Sequence, residues 1–191
     1  MKLIKILKNL FFNFNESEFT IRFRTVQILF FAYYKLRIAG YKFNSYIHPS
    51  VSIQNFKNIH FSQNVHIHKG SIIWGSVTFS NNVSIGPNNI FYGRAIFGSN
   101  VMTSGGCVFA GGGHGFKKID TPMLNQSYES KGGIVIQDDV WIGANSTILD
   151  GVTVHKGAIV GAGSLVTKNV NAFDIVGGVP AIKISSRIDI F

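Results

Sequence analysis

The hexamer GGGHGF, residues 111–116, sets one histidine among four glycines. An imidazole is the side chain whose ordinary pKa suits a general base that takes the proton of an attacking hydroxyl or amine. Glycines on both sides let the backbone bend sharply and approach a ligand. Chemistry alone leaves two readings open, a catalytic base and a loop histidine with no duty. Cys107 is the lone cysteine, so an internal disulfide is excluded, and no Cys/His cluster has zinc-ligand spacing. His60, His66 and His68 stand close in sequence, but a catalytic zinc site needs three converging ligands and the loop of His114 holds no second histidine. No metal is expected.

The elements that must hold this histidine repeat every six residues. Residues 134–169 read IVIQDD, VWIGAN, STILDG, VTVHKG, AIVGAG, SLVTKN, with Ile136, Ile142, Ile148, Val154, Val160 and Val166 always third. The same frame runs earlier through Phe61, Ile67, Ile73, Phe79, Ile85, Phe91, Phe97, Thr103 and Phe109, and Ile47 and Ile53 begin it with a two-residue slip before Phe61. A helix cannot use this pattern, because six residues make 600° of turn and the apolar positions would drift around the cylinder. Short strands separated by Gly, Asn and Asp corners can, and three equal sides close a triangular coil around a column of Ile, Val and Phe. The expected fold is an all-β solenoid. Between Phe109 and Ile136 the frame is interrupted by 27 residues where six would continue it, so about 21 are inserted at one corner, and His114 lies at their start.

Composition agrees with a folded chain. Of the 191 residues, 46% are hydrophobic and 14% charged, which excludes disorder and fits one domain. Of the net charge of +9, six fall in the first 42 residues, and Phe19 to Ile119 holds no acid at all. Such a field favours an anionic partner. Basic residues are not interleaved with aromatics in any nucleic-acid module, so no nucleic acid is expected. Residues 2–14, KLIKILKNLFFNF, form an amphipathic helix on this reading, with Lys2, Lys5 and Lys8 opposite Leu3, Ile6, Leu7, Leu10, Phe11 and Phe14. Two expectations follow from it, docking on a membrane surface and packing of the arm on the solenoid or another subunit. Asn15 with Glu18 could cap a second helix through about Ala39. The longest apolar run, TVQILFFAYY, is too short to span a membrane and no small-residue cleavage site follows the basic start. The expected location is cytoplasmic, and peripheral at the inner membrane face if the arm docks on lipid. The expected divisions are a helical arm (1–46), the solenoid (47–176) with its inserted loop (110–133), and a tail (177–191).

The motifs VWIGAN (140–145), GVTV (151–154), GAIVGAGSLVTKNV (157–170) and GGVPAIKISSR (177–187), in this order, resemble those of the hexapeptide-repeat acyltransferases. They are most similar to the sugar and polysaccharide O-acetyltransferase branch, with the galactoside, maltose and xenobiotic acetyltransferases. The resemblance implies a left-handed parallel β-helix, against the usual crossover rule, assembled as a homotrimer with the active site between solenoids. It implies acetyl-CoA as co-substrate, His114 as base, the backbone N–H of Ala144 as oxyanion donor and Trp141 as a wall of the thioester site. CoA would follow Gly143, Gly161 and Ala162, then Thr167 and Lys168, with Lys168, Lys183 and Arg187 near its phosphates. The expected reaction is acetyl transfer to a hydroxyl of a sugar or lipid-linked polysaccharide precursor. N-acetylation of an amino-sugar nucleotide is the near alternative, and a non-catalytic binding or scaffold solenoid the alternative of another class. Here Lys117 and Lys118 follow the histidine where relatives often carry an acid, which leaves open whether Asp120 or Glu129 orients it.

Overall fold

The computed structural model describes residues 29, 32–42 and 44–190. The amphipathic helix read over 2–14, and most of the second helix, lie outside the described residues, within which 32–35 are helical. From Tyr46 onward the chain winds as a three-sided parallel β-solenoid. On the first face the inward residues stack as Ile47, Ile67, Ile85, Thr103, Ile142, Val160 and Val176, one from each of seven rungs. The second face stacks Ile53, Ile73, Phe91, Phe109, Ile148 and Val166. The third stacks Phe61, Phe79, Phe97, Ile136, Val154 and Val170. Every hexad position expected to point inward does so, because a six-residue side plus corner returns the same side chain to the core once per face.

Phenylalanine fills the early rungs. Phe91 and Phe109 stack in parallel at 4.9 Å, and Phe97 meets Phe109 edge to face at 5.1 Å. All three are fully buried. The corners are made by residues in the left-handed backbone region, Asn or Asp at 64, 82, 100 and 139 and Gly at 157, each with φ between 56° and 71°. The two-residue slip before Phe61 is a single 3-10 turn, Phe56–Asn58, capped by the Asn55 side chain accepting from Lys57 N at 3.1 Å.

The long insertion leaves the solenoid between the second and third faces and returns without disturbing either. In the two preceding rungs the strands Ile72–Phe79 and Ile90–Phe97 run straight through that corner, over Gly75 and Gly93. Glycine is required there: a Cβ on Gly75 would sit 1.8 Å from the Gly93 carbonyl oxygen. After the loop, Ile134–Ile136 pairs with Ala95–Phe97 in the register it would have had with no insertion. The C-terminal residues fold back, Ile182–Ser186 pairing antiparallel with Asp174–Gly177 on the edge of the first face.

Candidate functional site

The corner between the first and second faces has an unusual backbone. Its carbonyls form a ladder, Gly106 N donating to Pro87 O, Asn145 N to Gly105 O and Gly163 N to Ala144 O. The N–H groups of Gly105, Ala144 and Ala162, one residue earlier in each turn, donate to no protein acceptor among the described residues. These groups succeed one another at the inter-rung spacing of about 4.8 Å. Proline at position 87 fits the same logic, since that position never needs its N–H. Gly143 precedes Ala144 because the next rung passes close by: a Cβ would lie 2.6 Å from Ala162 N and 2.7 Å from Val160 O. Trp141 stands on the outer surface of the first face, 43% exposed, with Nε1 donating to Ser104 Oγ at 3.4 Å.

His114 lies on the adjoining corner. Gly113–His114 pairs antiparallel with Tyr128–Glu129, so the insertion is a hairpin at its base. Tyr128 OH donates to the Gly111 carbonyl at 3.3 Å. Asp150, on the next rung, holds the returning strand by accepting from Gly133 N at 2.9 Å, from Ser130 Oγ at 3.1 Å and from Lys131 N. Arg94 Nη1 donates to the Gly132 carbonyl at 3.2 Å. Sequence reasoning passed over Asp150 and Arg94, although an aspartate in the ILDG corner was a visible signal. His114 is exposed. Neither candidate acid orients it: Asp120 accepts from Thr121 Oγ1 at 3.2 Å and Glu129 is ion-paired with Lys117 at 3.4 Å. The hairpin tip exposes Phe116, Ile119, Met123 and Leu124.

The structure therefore brings together Trp141, Gly143, Ala144, Gly161 and Ala162. It places His114, Thr167 and Lys168 on the second-to-third corner, across the width of the second face, about 13 Å at strand rise. Lys183 is held by Asp174 at 2.7 Å, which raises its pKa through the hydrogen bond to that carboxylate. Arg187 donates through Nη1 to Asp139 Oδ2 and to the Gly157 carbonyl, both at 2.9 Å. Two of the three cations expected near CoA phosphates thus already have protein partners, and Lys168 has none among the described residues. Cys107 is buried beside the first-to-second corner, its thiol near the Gly143 carbonyl at 3.2 Å, and burial pushes its pKa up. No group of three or more His, Cys, Asp or Glu among the described residues could hold a metal ion.

The rungs and their corners define a class, an all-β parallel solenoid, consistent with the left-handed β-helix of hexapeptide-repeat proteins. Residues 133–168 match the family model described as bacterial transferase hexapeptide (six repeats). A chloramphenicol acetyltransferase of Klebsiella aerogenes is 44% identical over 61 residues, 32% of this chain and 29% of that protein. A 2,3,4,5-tetrahydropyridine-2,6-dicarboxylate N-acetyltransferase of Staphylococcus aureus is 54% identical over 57 residues, 29% of this chain and 24% of that protein. The matched segment thus spans less than a third of either relative. Over most of the fold the chain is similar to AntD, an N-acyltransferase from Bacillus cereus solved with dTDP-4-amino-4,6-dideoxyglucose and coenzyme A, at a TM-score of 0.72 and 25% identity, covering 82% of this chain and 88% of that one. Two of these three proteins are named for transfer to nitrogen, so the O-acetyltransferase branch expected from the motifs does not follow from the matches.

Proposed function

We propose that the protein transfers acetyl from acetyl-CoA to the amine of a nucleotide-linked amino sugar. The observation that carries this reading is the row of N–H donors at Gly105, Ala144 and Ala162, which have no acceptor among the described residues. An extended pantetheine arm presents amide carbonyls that such a row can serve, and a thioester carbonyl at Ala144 would develop its negative charge against a preorganised donor. The acceptor nitrogen attacks that carbonyl, His114 takes the nitrogen's proton, the C–S bond breaks, and CoA leaves as its thiolate. Similarity to AntD, with its bound amino-sugar nucleotide and coenzyme A, supports an amine acceptor.

His114 and Ala144 of one chain stand on different corners, so on this reading the site is completed between two copies of a homotrimer, His114 of one facing Ala144 of the next. Of the six outward side chains in register on the second face, Ile72, Ile90, Val108 and Leu165 are half-buried and apolar, as a surface covered by a neighbour would be, with Thr147 half-buried among them and Ser52 exposed at the first rung. The test is release of free CoA thiol from acetyl-CoA with dTDP-4-amino-4,6-dideoxyglucose, GDP-perosamine and neutral hexoses as acceptors, comparing wild type with His114→Ala. Turnover that yields a hydroxylamine-stable amide and disappears in the variant is expected. A hydroxylamine-labile ester would return the acceptor to a hydroxyl, and failure to bind acetyl-CoA would leave a binding or scaffold solenoid.

A further inference from the structure

The outer surface of the first face carries a groove of about 390 Å³ that runs from Trp141 away from the donor corner. Its floor is apolar. Trp141 pairs in register with Met102 on one side and Ile159 on the other, and Met102 and Trp141 are 50% and 43% exposed. Two large apolar side chains side by side at such exposure are costly to leave in water. One rim is polar and has bonding capacity to spare. Asn100 accepts from Asn82 Nδ2 at 3.0 Å through Oδ1, and its own Nδ2 has no partner among the described residues. Asp139, next in the same corner column, gives only Oδ2 to Arg187, whose Nε and Nη2 are likewise unpartnered among the described residues.

A flat apolar floor beside an amide donor, a carboxylate acceptor and a guanidinium donor selects among ligands. An acyl chain would leave the rim unserved. A phosphate would meet the carboxylate of Asp139. A pyranose matches both parts, with one C–H face for the indole and thioether and hydroxyls along one edge for the rim. We propose that this groove seats the sugar ring of the acceptor, an inference that rests on the acyl-transfer reading above. The indole leans to the donor corner, its Nε1 on Ser104 Oγ at 3.4 Å, one residue before Gly105, so a ring over the indole has one edge on the side of a thioester carbonyl held at the Ala144 N–H. Trp141 is then a specificity residue for the acceptor as well as a wall of the donor site.

The chain has two tryptophans, so Trp74→Phe leaves Trp141 as the sole reporter. Its emission is titrated with dTDP-4-amino-4,6-dideoxyglucose, with dTDP alone and with methyl glycosides of glucose, galactose and N-acetylglucosamine, and CoA binding is measured separately by calorimetry. The expected result is a saturable change with at least one sugar, absent with dTDP. It should weaken about tenfold in Asn100→Asp, which keeps the corner conformation and the Asn82 bond but removes the amide donor, and in Met102→Ala, with CoA affinity unchanged in both. No response to any sugar, a response to dTDP alone, or weakening of CoA instead of sugar would overturn the assignment. Loss of CoA binding in the wild type would sink the donor site while leaving the sugar titration readable.

Discussion

Ala144→Pro isolates one N–H group. The equivalent corner position two rungs earlier is Pro87, preceded by Gly86 as Ala144 is preceded by Gly143, so the backbone of this turn suits proline; Pro87 faces Gly105 on the next rung, where a Cβ would lie 3.3 Å from the ring Cγ, and Ala144 faces Ala162, whose methyl must give by a few tenths of an ångström. The Ala144 N–H has no acceptor among the described residues, and its carbonyl, which accepts from Gly163 N at 2.7 Å, is untouched by the change. The crowding of the Ala162 methyl should cost about 1–2 kcal/mol of folding stability, short of unfolding the chain. Turnover should fall by about 10²–10³, the effect of removing one oxyanion donor, or about 2.7–4 kcal/mol of transition-state stabilisation. The KM for acetyl-CoA should change little, because the loss is confined to the transition state. Thiol-release kinetics and a thermal melt measure both halves. Mixing this variant with His114→Ala before reassembly should recover roughly one quarter of wild-type activity, since a site shared by two copies draws each intact half with even chance. Full activity in Ala144→Pro would refute the oxyanion assignment, and no recovery on mixing would place both groups within one chain.

Asp150→Ala should loosen the hairpin with little change in the global melt: hydrogen exchange over 111–133 should quicken and turnover drop about tenfold, with Asp150→Asn between the two because its amide keeps one acceptor. Gly93 and Gly163 both have positive φ, 72° and 69°, but a Cβ on Gly93 meets the Gly111 carbonyl at 2.2 Å whereas one on Gly163 meets nothing within 4 Å. Urea denaturation should find Gly163→Ala costing about 1–2 kcal/mol and Gly93→Ala about 3–5. Lys183→Gln should lower the melting temperature by leaving the buried Asp174 carboxylate without its cation, and spare the KM for acetyl-CoA; Lys168→Gln should do the reverse. Burial raises the phenol of Tyr34, and that of Tyr41 from 10.0 to about 12. Because the unfolded chain ionises first, their contribution is intact below the ordinary phenol range and is lost as pH rises from about 10 to about 12, so urea midpoints should fall across that window.

The core was legible in the order of residues because a three-sided coil makes each hexad position recur on a fixed side. Even the extra pair before Phe61 and the insertion after Phe109 showed themselves as breaks in count. Thr103 was read as a core position without a reason for its hydroxyl. The fold supplies it: Thr103 Oγ1 accepts from the buried Asn89 Nδ2 at 2.9 Å, and Asn89 Oδ1 accepts from Cys107 N at 2.7 Å. Such a bond joins residues fourteen apart on neighbouring rungs, a relation that a hexad alignment does not display. The same limit governed the site. Motif spacing located His114 and Ala144 separately, but which corner each occupies depends on counting faces through the insertion, and partners such as Asp174 for Lys183 come from the final antiparallel return, which follows no repeat.

The return of Ile136 to the register of Phe97 after the hairpin has a consequence for how this chain tolerates changes in length. Removing one residue inside a strand such as Ile134–Ile136 would act like a frameshift, turning core side chains to solvent on that side and putting polar ones in their place. Removing or adding several between 115 and 127 would leave every rung where it is. Whether an insertion or deletion is survivable here is thus decided by its address and hardly at all by its size.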